Sequence, residues 1–455
     1  RRVFAKSPSG RKVIVATNIA ETSITIDDIG FVIDSGRVRE LRHDHGTRVA
    51  KLTTVLCSQA AAAQRRGRAG RTRPGVCYRM YTRRIHGTMP MYGDPEILRS
   101  PLEQVCLRVK ALGHQDPRTI LASALDPPPL SAVSAAEHLL VAVGATVEEF
   151  GALTALGKFI ADIPVDLRLA KILVYGALMG VLDDALKIVA LMALDKPLFH
   201  DKLARKKFAN DSLQSGLSDW LADLAAFNQL DSGGKAYDLG CSPTAIRDVR
   251  GTVRQLRDSL RHTGLVEQSS KASPMVLKAL ICAGLSPNIV RVRMPQQKFT
   301  EVIGGTISKD HEARQVSFYA PDIMSLPGSG PLWQSHDYRT DRRVFIHPQS
   351  TLFSATKYQA TPFIVYFAQS TSSLNPRTYL RDATVPGLYA LLMFGPAPLI
   401  IDHENKVLCI GSSGALAVRA WPRIAVLVNQ LRILLDELLR RKLEAPESLQ
   451  QYCNY

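Results

Sequence analysis

The alternation of apolar and polar positions gives the chain a different texture in each part. Residues 12–16 (KVIVA) and 31–34 (FVID) are short apolar runs of the kind that forms buried parallel strands, with a polar segment between them that predicts a short helix. Residues 38–55 alternate loosely about Asp44, His45 and Gly46, which predicts a β-hairpin. Ser58 is placed to cap a helix running through the alanines that follow, and Pro74-Gly75 turns the chain into a strand over residues 76–81. The sum is strand, short helix, strand, hairpin, helix, strand: an incomplete α/β domain.

From Pro95 the periodicity becomes helical. Residues 98–112 predict one amphipathic helix, and Asp126-Pro127-Pro128-Pro129 breaks the chain before another over 135–143. Residues 153–228 are densely helical in period, and 243–263 places Ile246, Val249, Val253, Leu256 and Leu260 on one face, so this region predicts a helical bundle. Between 279 and 401 short β-rich runs alternate with turns, which predicts a small barrel. Residues 383–401 carry no charge, but Pro386, Gly387, Gly395, Pro396 and Pro398 make a poor membrane helix, and two buried strands with a turn are expected. Last, Ile424, Leu427, Leu431, Leu434 and Leu438 recur at 3-4-3-4 spacing. They cover only about two heptads, so a helix docked on the barrel is expected rather than a coiled coil.

Charge changes this picture. A net charge of +16 over 455 residues favours a polyanionic partner, and nucleic acid fits better than a membrane surface because no lipid-anchor motif occurs. Seven scattered cysteines without a Cys-x-x-Cys pair argue against a zinc site or disulfide framework and for a reducing, intracellular compartment: cytoplasm, nucleus or mitochondrion. The chain opens at Arg1, without Met or a visible signal peptide and close to a strand, and is expected to be a piece of something longer.

The densest chemistry is Gln64-Arg65-Arg66-Gly67-Arg68-Ala69-Gly70-Arg71, four arginines and a glutamine interrupted by two glycines. On a continuous helix Gln64, Arg68 and Arg71 stand at i, i+4 and i+7 and share a face. Gly67 and Gly70 remove bulk where a polyphosphate could approach, and guanidinium groups grip phosphate oxygens in pairs. A basic run of this kind also suits a solvated patch, a nuclear-targeting signal or a nonspecific RNA contact, and the sequence upstream bears on the choice.

There, residues 16–27 (ATNIAETSITID) follow a predicted strand, about forty residues before the arginine cluster. The pair, in this order, resembles motifs V and VI of the DEAH/RHA helicases, superfamily 2 enzymes that translocate on RNA. Pro95-Glu96-Ile97-Leu98-Arg99, Asp126-Pro127-Pro128, Leu153-Thr154-Ala155-Leu156-Gly157, Pro164-Val165-Asp166, Gly284-Leu285-Ser286-Pro287-Asn288, His347-Pro348 and Leu380-Arg381-Asp382-Ala383-Thr384 resemble later landmarks of the family. Trp421-Pro422-Arg423-Ile424 is closest to the RNA helicase A-like subgroup.

The resemblance implies a multidomain α/β + α + β architecture. Its parts are a partial second RecA-like domain (1–93), a winged helix (94–147), a helical ratchet or HA2 bundle (148–275), an OB-fold barrel (276–402) and a C-terminal extension with an amphipathic helix (403–455). It implies ATP with Mg2+ as cofactor, RNA as partner, 3′-to-5′ translocation, no membrane and a monomeric motor. Gln64, Arg68 and Arg71 would reach the γ-phosphate, Phe4 would stack on adenine, and Thr25 and Asp27 would face the ribose, with Asp28 a competing carboxylate. Thr17, Asn18, Thr22 and Arg37 would meet RNA, and Ser350 marks a candidate contact in the OB-fold. No Gly-x-x-x-x-Gly-Lys-[Ser/Thr] loop and no Asp-Glu-Ala-His box occurs. The chain alone is therefore expected to be inactive in hydrolysis, and a noncatalytic RNA-binding scaffold or a DNA helicase are the alternatives.

Overall fold

The computed structural model describes residues 4, 10–22, 26, 28–44, 49–114, 116–194, 196–200, 202–210, 217–265, 270–296, 298–302, 305–309, 312–321, 342–358, 361–372, 375–411 and 416–444. The chain divides into two compact units: Arg1–Pro101 with Leu125–Pro128 and Thr371–Pro376, and the remainder.

In the first unit, α1 (Ile19–Thr22) is followed by β1 (Phe31–Asp34), β2 (Arg37–Asp44), β3 (Val49–Leu56), α2 (Gln59–Gly67), β4 (Val76–Arg79), α3 (Arg83–Thr88) and α4 (Glu96–Arg99). β1 and β4 pair in parallel, Phe31 against Val76 and Asp34 against Arg79. β2 and β3 form the expected antiparallel hairpin, from Arg37↔Leu56 to Asp44↔Val49. A small core of Cys57, Ala62 and Met89, with Val38 and Tyr81 against it, ties the hairpin to α2. One expected strand is absent: residues 12–16 carry no regular structure, and Val13 and Val15 are 83% and 95% exposed. A parallel strand is held by its neighbours' ladder, and among the described residues β1 and β4 are the only parallel pair of this unit.

The predicted helix over 98–112 is two helices. Pro101 lacks the N–H and disfavours helical geometry at Ser100, so α4 stops at Arg99 and α5 (Glu103–Ala111) begins beyond it.

The second unit continues with α6 (Pro117–Ala122), α7 (Leu130–Val143), α8 (Ala155–Asp162), α9 (Leu167–Leu178), α10 (Leu182–Met192), α11 (Lys202–Asn210), α12 (Asp219–Asp231), α13 (Pro243–Arg261) and α14 (Pro274–Leu285). α9, which packs on α8, α10 and α14, is the centre of this bundle; Ala170, Ile172, Leu173 and Val174 are fully buried. Next come β5 (Ile289–Arg293), β6 (Lys298–Val302), β7 (Gly305–Lys309), β8 (Ser317–Ala320), β9 (Arg342–Ile346), β10 (Phe363–Ser372) and β11 (Asn375–Thr384). β5, β8, β9, β11 and β10 pair in that order, and β10 returns to β5, which closes a five-stranded barrel. β9 and β11 run parallel and the other registered barrel pairs antiparallel, the arrangement of an OB-fold. Val290, Val344, Ile364 and Leu380 fill it.

Two expectations at the C-terminal end are corrected. Residues 383–401 are not two strands: α15 (Leu388–Phe394) separates the end of β11 from β12 (Leu399–Asp402). Leu-Tyr-Ala-Leu-Leu-Met-Phe is rich in helix formers, and Gly387 and Gly395 are its caps rather than turn residues. β13 (Val407–Ile410) and β14 (Leu416–Arg419) complete a three-stranded meander with β12, and α16 (Pro422–Glu444) follows. α16 packs chiefly on α8, α15, β12 and β13 rather than on the strands of the five-stranded barrel, and it does so through Ala425, Arg432, Leu439 and Leu443. Ile424, Leu427, Leu431, Leu434 and Leu438 are each at least 50% exposed. The docking face is chosen by buried Arg432, whose guanidinium donates to the carbonyls of Leu392, Gly395 and Pro396 at 3.0, 2.7 and 3.4 Å, satisfying the open end of α15. Among the described residues no helix is long and apolar enough to cross a membrane.

Candidate functional site

Ser58 caps α2 by accepting the Ala61 N–H at 3.1 Å, and the small alanines that follow let the helix lie against the core. The helix ends at Gly67, earlier than the i, i+4, i+7 expectation required. Arg68 is its C-cap, with its N–H bonded to the Arg65 carbonyl, and Arg71 lies beyond a turn. Gln64, Arg68 and Arg71 therefore do not share one continuous helical face. The turn back requires glycine at residue 75, since a Cβ there would stand 1.7 Å from the Ala69 carbonyl oxygen. Gly67 and Gly70 differ from it, since a Cβ on either would meet nothing within 4 Å. Gln64 and Arg71 are exposed, and Arg68 is half-buried with its guanidinium on the Glu21 carbonyl of α1.

The residue that organises this region is Arg65, which the sequence reading passed over. Its Nε donates to Glu21 at 3.0 Å, and its Nη1 to Asp34 at 2.9 Å and to the Arg37 carbonyl at 3.2 Å. Asp34, 2% exposed, also accepts the Gly36 N–H at 3.0 Å and the Tyr81 hydroxyl at 2.9 Å. Burial alone would raise the Asp34 carboxyl; the Gly36 N–H, Arg65 and Tyr81 outweigh it and hold the group below its ordinary value. Burial, reinforced by the bond to Asp34, pushes Tyr81 up to about 12. A signal for this pair existed in the sequence: Asp34 is the one charge in the apolar run of β1, and a buried carboxylate requires a cation.

Thr17 and Asn18 are exposed immediately before α1, and their carbonyls accept the N–H groups of Ala20 and Glu21 at 3.2 and 2.9 Å. Thr22 closes α1. Arg37 opens β2 with an exposed side chain, and Phe4 is 62% exposed. Thr25 and Asp27 lie outside the described residues. Asp28 pairs with Lys12 at 3.6 Å.

Ser350 is corrected as a surface contact. It is 2% exposed and donates to Asp219 at 2.7 Å, within a buried polar network joining α12 to the barrel. Beside it Arg205 holds Asp223 through two 2.7 Å bonds and reaches Asp382 at 3.2 Å, on the wall of a cavity of about 260 Å³.

Four domain families match the chain. They are the helicase conserved C-terminal domain over residues 1–73, the ratchet-like helicase-associated domain (HA2) over 166–231, an oligonucleotide/oligosaccharide-binding fold over 277–398, and a C-terminal domain in RNA helicases over 413–452. Among similar proteins, the DExH-box ATP-dependent RNA helicase DExH1 of Arabidopsis thaliana is 33% identical, the match covering 98% of this chain and 42% of that protein. The human ATP-dependent DNA/RNA helicase DHX36 is 31% identical over 98% of this chain and 43% of its own length. Human ATP-dependent RNA helicase DHX29 is 32% identical over 98% and 32% respectively. The chain thus spans between 30% and 43% of the length of the curated relatives it matches. With helicase C-terminal, ratchet and OB modules in this order, the chain belongs to the DEAH/RHA helicase family.

Proposed function

We propose that this chain is the C-terminal portion of an ATP-dependent 3′-to-5′ RNA helicase that remodels RNA as a monomeric motor. Residues 1–93 act as most of the second RecA-like domain, 94–147 as a winged helix, 148–275 as the ratchet, 276–402 as the OB-fold and 403–455 as an extension. The observation that carries the reading is the end of α2. There a carboxamide and two guanidinium donors, Gln64, Arg68 and Arg71, flank Gly67 and Gly70 along the chain, and a Cβ on either glycine would meet nothing within 4 Å, which leaves room for a polyphosphate. That donor set fits the terminal phosphates of ATP, which supplies the phosphoryl group whose transfer drives the motor. Gln64, Arg68 and Arg71 bind and orient those phosphates, Phe4 stacks on the base, and Thr25 and Asp27 hold the ribose. No phosphate-cradling loop or Asp-Glu-Ala-His box occurs here, so Mg2+ and its ligands are assigned to the rest of a longer protein.

Thr17, Asn18, Thr22 and Arg37 hold the RNA backbone, which makes binding weaken as salt rises. The test is RNA-stimulated ATP hydrolysis by the full-length protein. A phosphate-directed arginine is worth roughly 10³ to 10⁵ in rate, so Arg68→Ala is expected to nearly abolish turnover. Turnover within about tenfold of wild type would remove the assignment. Single-stranded DNA of equal length, run in parallel, separates an RNA from a DNA motor.

A further inference from the structure

We propose that Arg65 is a positioning residue that couples the nucleotide-facing end of α2 to the two elements assigned to RNA. The inference rests on the helicase reading and deepens it. One guanidinium makes three bonds to three places: the Glu21 carboxylate on α1, the Asp34 carboxylate at the end of β1, and the Arg37 carbonyl that opens the hairpin. α1 in turn fixes Thr17 and Asn18, whose carbonyls accept its first N–H groups, and Arg37 is the hairpin residue assigned to the RNA backbone. Arg65 is adjacent to Gln64 and three residues before Arg68 on the same polypeptide segment. Arg68 itself donates to the carbonyl of the same Glu21. Movement of the end of α2 is therefore delivered to α1 through two arginines on one glutamate, and to the hairpin through Arg65.

Arg65 does not reach substrate. Its side chain is 15% exposed, its partners Glu21 and Asp34 are 16% and 1% exposed, and its Nε and Nη1 donate to protein acceptors. The bridge needs a planar fork with several donors. A lysine ammonium at this position keeps the charge for Asp34 but cannot span Glu21, Asp34 and a carbonyl together.

The experiment uses the full-length protein with Arg65→Lys and, separately, Glu21→Gln. Glu21→Gln leaves the Arg65–Asp34 pair in place and so spares the fold. RNA-stimulated ATP hydrolysis and separation of a 3′-tailed RNA duplex are measured on the same preparations, with thermal unfolding as a check on folding. The expected result is hydrolysis within about threefold of wild type, with base pairs opened per ATP consumed reduced by about tenfold or more in Arg65→Lys and by a smaller factor in Glu21→Gln. Equal loss of hydrolysis and unwinding in folded Glu21→Gln, or unwinding at the wild-type yield per ATP in both variants, overturns the coupling role alone. A wild-type protein that neither hydrolyses ATP with RNA nor separates strands overturns the helicase reading and this role with it.

Discussion

Ser350 donates its hydroxyl to Asp219 at 2.7 Å across 131 residues of sequence, and both side chains are buried. Asp219, fully buried, also accepts the Thr351 N–H at 2.7 Å, the Thr351 hydroxyl at 2.8 Å and the Ala383 N–H at 2.8 Å. One carboxylate at the start of α12 therefore fixes two separate segments of the barrel. Such a group is stable only while every donor faces it.

Asp219→Ala strands those four donors in the interior. Removing one partner of a buried charged cluster costs about 3–5 kcal/mol, and that loss is expected in the denaturant-induced unfolding of the second unit. Asp219→Asn should also destabilise, since its NH2 turns a donor towards donors. An unfolding midpoint unchanged in Asp219→Ala would show that the network contributes nothing.

Gly36 and Gly67 are expected to respond oppositely to alanine. Gly36 sits at φ +68, and a Cβ there would come within 2.5 Å of the Tyr81 ring, which its bond to Asp34 keeps from swinging away. Gly36→Ala combines left-handed strain with a clash and should destabilise the first unit by about 2 kcal/mol or more. Gly67 is in the last turn of α2 with open space around it, so Gly67→Ala should leave stability unchanged or raise it by up to about 1 kcal/mol. If the open side receives a polyphosphate, Gly67→Ala should nonetheless depress ATP turnover in the full-length protein. Thermal unfolding and hydrolysis, read together, separate the two effects.

Much of this was legible beforehand because local chemistry decides it. A serine before an alanine run, an alternating stretch around a polar tip, and proline-bounded helices give the same answer in any context. The failures share a different cause. Residues 12–16 are apolar enough for a strand, but a strand exists only with a neighbour. Arg71 falls off the expected face because α2 ends at Gly67 and the chain turns back so closely that residue 75 has no room for a Cβ against the Ala69 carbonyl. The leucines of α16 obey a docking pattern, yet Arg432 on another face meets three carbonyls that periodicity cannot see. Arg65 was hidden for the same reason: its partners lie 28 to 44 residues away.

The acid limb of the first unit should depend on Asp34. Its carboxyl is held below the ordinary 3.8, so its contribution is present in full above that value and is lost as pH falls through the lower, folded value. Asp34→Asn should lower stability near neutrality and flatten the acid limb. At the alkaline end Tyr81, raised from 10 to about 12, contributes below pH 10 and loses that contribution between the two values. Tyr81→Phe should remove this alkaline slope. Unfolding midpoints measured across pH check both, and identical slopes in wild type and variants would refute them.

On α16 the two faces give the last prediction. Arg432, 7% exposed, spans three carbonyls at the end of α15 and lies 3.6 Å from Asp436. Arg432→Leu fills the volume but leaves those carbonyls without their donor, each worth about 1–3 kcal/mol when buried, so a loss of at least about 2 kcal/mol is expected. Leu431 and Leu434, 58% and 66% exposed, are the residues periodicity marks as core. Their replacement by glutamine should shift stability by less than about 0.5 kcal/mol, as for other exposed positions. The unfolding midpoints of Arg432→Leu and of the Leu431→Gln, Leu434→Gln pair therefore discriminate between the faces. A large loss in the leucine variants with a small one in Arg432→Leu would mean that the helix docks through its leucine stripe after all.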